Sequence, residues 1–264
     1  MELPDIAGHD LGTRKVVFDD RTTILYALCA GADGDELDLI WEQQLRPLPS
    51  LATALGLWAV EAAGELGAYD RRNSLHVGQR LRVLEAMPAA GEIEMGARVD
   101  AVWDKGRAAI VEVGVTSRYF ELGYTIFLPG LGGFGGTGGP ASSPAVELDP
   151  TATATVRTDE RLALFYRLTG DRHPVHVDPT VAADNGFERP ILHGLCTLAI
   201  AAHAVAGMRG AHPADLSSLE ARMASPVLPG DELVIRTAPG NDGSTRFDAL
   251  VGERVVLKDG TAAF

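Results

Sequence analysis

Two stretches of the chain repeat one hydropathic order. In the first, a short apolar segment, ILYALCAGA (24–32), precedes PSLATALGLWAVEAAGELG (49–67). The latter reads as a helix, with Ser50 as candidate N-cap and Gly67 near its end. Strand-like runs follow at 79–87, 91–104, 107–120 and 121–128. In the second stretch, ERLALFYRLTG (160–170) precedes a helix over ILHGLCTLAIAAHAVAG (191–207), and runs at 219–228, 231–239, 245–252 and 253–264 alternate as strands. DKGR (104–107) and APGNDGS (238–244) have turn composition. Each half is therefore a segment, a long helix and about four antiparallel strands.

The second helix is apolar almost all the way round, so it has to be buried on most faces. A curved antiparallel sheet wrapped around it is the economical solution, and its Ala and Gly residues suit a close approach of that sheet. This predicts an α+β architecture, a double hotdog of two repeats, 1–140 and 141–264. Between them LPGLGGFGGTGGPASSPA (128–145) reads as a loop and linker. Gly130, Gly132 and Gly135 spell GxGxxG, but TGGPASSP follows and cannot open the helix that a dinucleotide fingerprint needs. There is no GK[ST] for a P-loop.

The 264 residues are 46% hydrophobic and 22% charged, ordinary for a globular chain with a buried core. A net charge of −13 argues against non-specific binding to nucleic acid or an anionic membrane, while leaving room for a local cationic cluster that takes an anionic ligand. Cys29 and Cys196 lie far apart in apolar runs, match no metal or redox spacing, and read as small buried hydrophobes. The N-terminus carries acidic residues and no apolar core of a signal peptide. The longest apolar stretch, 194–202, is too short to span a bilayer. A cytoplasmic protein is the expectation.

Candidate chemistry is concentrated in GDRHPVHVDP (170–179), where Asp171, His173, His176 and Asp178 stand within eight residues on a segment that Pro174 and Pro179 keep out of helix. Histidine and aspartate on a loop are often merely solvated or capping. As metal ligands the four match no spacing with a mechanical basis, since HPVH is not HExxH and is not on a helix, so no metal is expected. As acid/base groups, Asp171 and His176 could converge across the proline-stiffened bend and hold a water between carboxylate and imidazole. FERPILHGL (187–195) then leads into the apolar helix, with Gly194 in its first turn. A first-turn N–H has no intrahelical acceptor and points along the positive end of the dipole, which suits an oxyanion.

The 34 residues YRLTGDRHPVHVDPTVAADNGFERPILHGLCTLA (166–199) resemble the signature of the MaoC-like, or type 2, enoyl-CoA hydratases, roughly Y-x-L-S/T-G-D-x-N-P-x-H-x-D-P followed by GF-x-x-P-I-L-H-G-L. LRPLPSLAT (45–53), LHVGQRLRVLEAMPAAGE (75–92) and the GGFGG loop are similar to the N-terminal repeat of the two-repeat members. The resemblance implies reversible hydration of trans-2-enoyl-CoA to (3R)-3-hydroxyacyl-CoA without metal or redox cofactor. It implies Asp171 and His176 as the catalytic pair and Gly194 as the amide that polarises the thioester carbonyl. It implies further substrate contacts at His76, Val77, Lys105 and Met223, and a first repeat that binds but does not catalyse. Arg172, with Arg189 and Arg222, is a candidate for the CoA phosphates, and His193 for lining the pocket. Asp178 reads as loop-stabilising.

This chain departs from the signature at His173, where Asn is usual. An imidazole can donate and accept a hydrogen bond as an amide does, but it can also be protonated near neutral pH. The first-half counterpart, YALCAGADGD (26–35), lacks the Pro and His, which predicts one active site per chain, in the second half. An acyl-CoA thioesterase of the same fold and a non-catalytic acyl-CoA-binding subunit remain as alternatives, as does an acyl group carried on a protein instead of CoA. The fold is compatible with a homodimer and, because two repeats can pair within one chain, with a monomer.

Overall fold

The apolar run after His193 forms a single helix, Gly194–Arg209, closed by Gly210 in the left-handed conformation at φ 64°. Ten of its sixteen residues are buried. Leu195, Leu198, Ile200 and Val205 alone represent about 1.5–3 kcal/mol of burial each. The structure, a computed structural model, describes residues 1–140 and 148–264. The expected boundary at 140/141 and the Pro/Ser-rich end of the 128–145 linker fall on residues 141–147, outside the described residues.

Ten strands form one antiparallel sheet: β1 (Asp10–Phe18), β2 (Leu75–Val83), β3 (Gly91–Asp104), β4 (Ala108–Ser117), β5 (Phe120–Pro129), β6 (Ala152–Arg157), β7 (Ser218–Met223), β8 (Glu232–Pro239), β9 (Thr245–Val251) and β10 (Arg254–Ala263). Their order is β1-β3-β4-β5-β2-β7-β10-β9-β8-β6. With β6–β10 matched to β1–β5, the order is the same from either edge, so the internal repeat is a real structural duplication. The halves meet where β2 pairs with β7, Gln79 opposite Ala221 and Leu81 opposite Leu219. The helices are α1 (Asp20–Cys29), α2 (Leu37–Ile40), α3 (Leu51–Leu55), α4 (Trp58–Glu65), α5 (Leu162–Tyr166), α6 (Pro179–Asp184) and α7 (Gly194–Arg209). All five strands of the second half touch α7, giving the helix-in-sheet wrap of a hotdog repeat. No helix among the described residues is long and apolar enough to cross a membrane.

Several elements depart from the sequence reading. Among the described residues each half has five strands, not four, because β1 and β6 carry too little signal: β1 is mostly exposed, and β6 is a short Ala/Thr run at the sheet edge. The apolar segment 24–32 belongs largely to α1. The helix expected over 49–67 is two helices, α3 and α4, and Ser50 makes no side-chain cap. A Cβ on Gly56 would lie 2.5 Å from Leu122 Cδ1 and 2.7 Å from the Tyr124 hydroxyl, so only glycine lets the broken helix sit this close to β5. The break frees the Thr53 carbonyl, which accepts a hydrogen bond from the Tyr124 hydroxyl at 2.8 Å. In the glycine-rich loop two backbone amides are already engaged within the chain. Its Gly133 and Gly135 amides donate to the Asp104 carboxylate in the β3–β4 turn, each at 2.8 Å, and no helix follows among the described residues up to Pro140.

Replacing Tyr124 by Phe leaves the buried Thr53 carbonyl without a donor, and urea unfolding is expected to show a loss of about 1–3 kcal/mol.

Candidate active site

The chain enters the histidine loop from α5 through Gly170, at φ 154°, where a Cβ would stand 3.0 Å from the Ala54 carbonyl of the first half. Three side chains then fold the loop on itself. Asp171 Oδ1 accepts from the His173 N–H at 3.0 Å. His173 Nδ1 accepts from the Val175 N–H at 3.2 Å, capping the 3₁₀ turn Pro174–His176, a task an Asn side chain performs equally well. Asp178 accepts from the Thr180 N–H at 2.8 Å and caps α6, so it stabilises the loop as expected.

These caps deliver Asp171 and His176 to one point. His176 is buried, and its Nδ1 lies 2.9 Å from the Ile191 carbonyl oxygen. A carbonyl only accepts, so Nδ1 carries the proton and Nε2 of the neutral ring is a bare acceptor. Nε2 stands 3.7 Å from Asp171 Oδ2. That is too long for a direct bond. Burial pushes the His176 pKa down, against the opposing pull of the Asp171 charge and the bond to Ile191. Burial also acts to raise the Asp171 carboxyl, but the charges of His193, His176 and His173 and the His173 amide outweigh it and hold it below its usual value. At neutral pH the pair is therefore a carboxylate beside a neutral imidazole, two acceptors facing one gap.

Gly194 opens α7 beside this pair. The preceding strand-like residue is fixed by the Leu192–Val227 bridge, with the Leu192 N–H 2.7 Å from the Val227 carbonyl. A Cβ on Gly194 would come within 3.1 Å of Met223 Cγ, so the glycine leaves space next to its own amide and Met223 forms the opposite wall.

His76 and Val77 arrive from the first half by a β-bulge. His76 pairs with Ile126 and Gly78 with Thr125, so Val77 is the extra residue. A regular strand turns successive side chains to opposite faces, and a bulge lets two neighbours face the same side. The His76 Nε2–H donates to the Gly78 carbonyl at 2.9 Å. Burial pushes its pKa down to about 4.

Asp171, His173, His176, Gly194, Met223, His76 and Val77 all line one cavity of about 370 Å³ between the repeats. Its walls are largely apolar, with Leu57, Ile126, Phe187, Leu195 and Val227 among them. Three expected residues are not part of it. Lys105 sits in the β3–β4 turn, where its ammonium donates to the Gly138 carbonyl of the glycine-rich loop. Arg172 is exposed beside Asp171. His193 is 1% exposed and lies behind His176 instead of lining the cavity. The sequence reading missed the cations at the mouth, Arg71 and Arg72, which pair with Glu65 and Asp70. The RRN run between Asp70 and β2 was their only signal.

Asp171, His176 and His193 bring potential metal-ligand atoms within 4.8 Å of one another, a different set from the one spacing suggested. The His176 and His193 rings are stacked 3.6 Å apart and 21° from parallel. Ring lone pairs lie in the ring planes, so stacked rings direct them side by side instead of at one ion.

Residues 141–258 match the family described as MaoC like domain, and residues 17–130 match the MFE-2 hydratase 2 N-terminal domain. The chain is 35% identical to 3-hydroxyacyl-thioester dehydratase Y of Mycobacterium tuberculosis, over 96% of this chain and 95% of that one. It is 30% identical to the peroxisomal enoyl-CoA hydratase 2 of Arabidopsis thaliana, over 87% and 84% of the two chains. The crystal structure of a MaoC-like dehydratase from Phytophthora capsici superposes with a TM-score of 0.88 at 23% identity, covering 99% of this chain and 96% of that one, and shows the common fold.

The buried histidines predict an acid-sensitive fold. The unfolded chain takes up protons near pH 6.5 at His76 and His193, whereas burial delays uptake in the native chain to about 4 and about 3. The unfolded state therefore binds more protons in this window. Stability present above pH 6.5 is lost as pH falls toward those values, by roughly 1 kcal/mol per pH unit for each group. Urea unfolding at pH 7 and pH 5 is expected to show this slope, and His76→Gln is expected to reduce it.

Proposed function

Because the chain belongs to the MaoC-like dehydratase family, we propose that it catalyses the reversible (R)-specific hydration of trans-2-enoyl-CoA to (3R)-3-hydroxyacyl-CoA, with Asp171 and His176 as its acid–base pair. The observation that carries the assignment of the pair is the 3.7 Å gap between two hydrogen-bond acceptors on the cavity wall. Water can donate one hydrogen to the Asp171 carboxylate and the other to His176 Nε2, which turns its oxygen lone pair toward the cavity. When that oxygen bonds Cβ of the enoyl group, the π electrons move toward the thioester carbonyl, whose oxygen gains negative charge. The Gly194 N–H and the N-terminus of α7 stabilise that charge. One member of the pair takes the water proton, and a proton is delivered to Cα on the same face. Dehydration is the same path reversed.

The acyl chain fits between the repeats, against Leu57, Ile126 and Val227, with His76 and Val77 as the first repeat's contribution. Arg71 and Arg72, in place of Arg172, are the cations at the mouth for the CoA phosphates. The chemistry drawn here uses no metal or redox cofactor. A carrier-protein thioester shares this chemistry, and the printed name of the Mycobacterium relative specifies only a thioester. Cytoplasmic residence and a homodimer are part of the proposal. The Arabidopsis relative is peroxisomal by name.

Loss of the conjugated enoyl-thioester absorbance with crotonyl-CoA and a longer trans-2-enoyl-CoA tests the reading. Asp171→Ala and His176→Ala are expected to lower kcat by about 10²–10⁴-fold with a much smaller change in KM. Release of free CoA would assign a thioesterase instead, and binding without turnover a non-catalytic subunit.

A further inference from the structure

We propose that His193 is a positioning residue that fixes the relative geometry of Asp171, His176 and the Gly194 amide, and is not a substrate contact. The proposal rests on the reading of Asp171 and His176 as the acid–base pair.

His193 is 1% exposed and separated from the cavity by the His176 ring. The two imidazoles are stacked, centroids 3.6 Å apart and planes 21° from parallel. Tyr166 packs against His193 with centroids 4.8 Å apart and an interplanar angle of 49°. His176 therefore lies on a flat, buried support that is itself packed against α5. In the ring plane, His193 Nε2 lies 3.2 Å from the Asp171 carbonyl oxygen. The carbonyl only accepts, so this nitrogen carries the proton, and the bond fixes the peptide from which the Asp171 carboxylate projects. The next residue in the chain is Gly194. One side chain thus supports the imidazole from below, holds the backbone of the carboxylate, and is joined covalently to the oxyanion amide.

Three groups that must converge on one substrate are in this way referred to a common, dry reference. A misplacement of about 1 Å among such groups can lower the rate about 100-fold. Burial, with the repulsion of His176, pushes the His193 pKa down to about 3, consistent with a ring that supports without exchanging protons at neutral pH.

Three variants separate the contacts. His193→Phe retains a flat ring under His176 and lacks the donor. His193→Gln places an amide N–H the same number of bonds from the backbone as Nε2 and lacks the ring. His193→Ala lacks both. With crotonyl-CoA at pH 7.5, His193→Ala is expected to lose about 100-fold in kcat with KM within about 3-fold, and the Phe and Gln variants are each expected to recover part of that loss. In parallel, ¹⁵N-histidine NMR of the substrate-free proteins reads the His176 ring. Wild type is expected to show a single tautomer protonated at Nδ1, and His193→Ala a mixture. An Ala variant that keeps wild-type kcat, or one that raises KM at unchanged kcat, would overturn the proposal. So would Phe and Gln variants no better than Ala, which would make His193 a packing residue only. If the wild-type protein turns over no enoyl thioester, the hydratase reading falls, and the NMR comparison still decides whether His193 orders the His176 ring.

Discussion

A sixteen-residue helix with no polar face has no stable place on a protein surface, and the rest of the molecule follows from burying α7. Burial on most faces requires a sheet that curves around the helix, and five strands of the second half supply it. The helix must also begin somewhere inside. Its first amides have no intrahelical acceptors, and an interior helix end leaves them facing either a polar partner or a cavity. Here Gly194 and Leu195, at the start of the helix, line the cavity between the repeats, and glycine leaves room beside Met223. The proposed oxyanion site would therefore be a consequence of how the core is closed, and the histidine loop runs just in front of it because it leads directly into the helix.

The two halves of the duplication are not built alike around the proposed site. Strand order is symmetric about the β2–β7 seam, yet the central helices differ. In the second half the helix is continuous and starts at the site. In the first it breaks at Gly56, and its freed carbonyl is taken up by Tyr124. The residues just past the break, Leu57 and Val60, line the cavity. The first repeat thus lends the cavity part of its wall. Its further contribution, the bulge at Val77, turns both His76 and Val77 inward without altering the register that holds the seam.

What was legible in the sequence divides along physical lines. The α7 helix, the long strands and the approach of Asp171 to His176 were readable because each depends on a local pattern: an all-apolar run, alternation, and prolines that stiffen a loop. β1 and β6 were not, since β1 is exposed along most of its length and β6 alternates mostly between small residues over a short run. The broken helix was not, because Gly56 is demanded by Leu122 and Tyr124, residues more than sixty positions away. Lys105 and Arg172 do not line the cavity, for a related reason. A cation's usefulness depends on where its turn lies in space, and both turn out to lie off the cavity, whereas Arg71 and Arg72 lie at its mouth. His193 was expected to line the pocket because it adjoins Gly194. Adjacency in sequence placed it correctly at the helix start, but the stacking that puts it behind His176 is a tertiary fact.

Three histidines, His76, His176 and His193, surround one carboxylate, and burial lowers the pKa of all three. A cluster of cationic imidazoles would clamp Asp171 in a closed ion pair and leave no acceptor free for water. Neutral imidazoles do the opposite. Each donates one ring proton to a backbone carbonyl, His76 to Gly78, His176 to Ile191 and His193 to Asp171, and so each ring is oriented by the main chain instead of by the carboxylate. The Asp171 carboxylate keeps one oxygen engaged with the His173 amide and the other directed toward His176 across the gap. The desolvation that makes the fold sensitive to acid is thus the same property that leaves a carboxylate and a bare imidazole nitrogen side by side, able to share a water molecule.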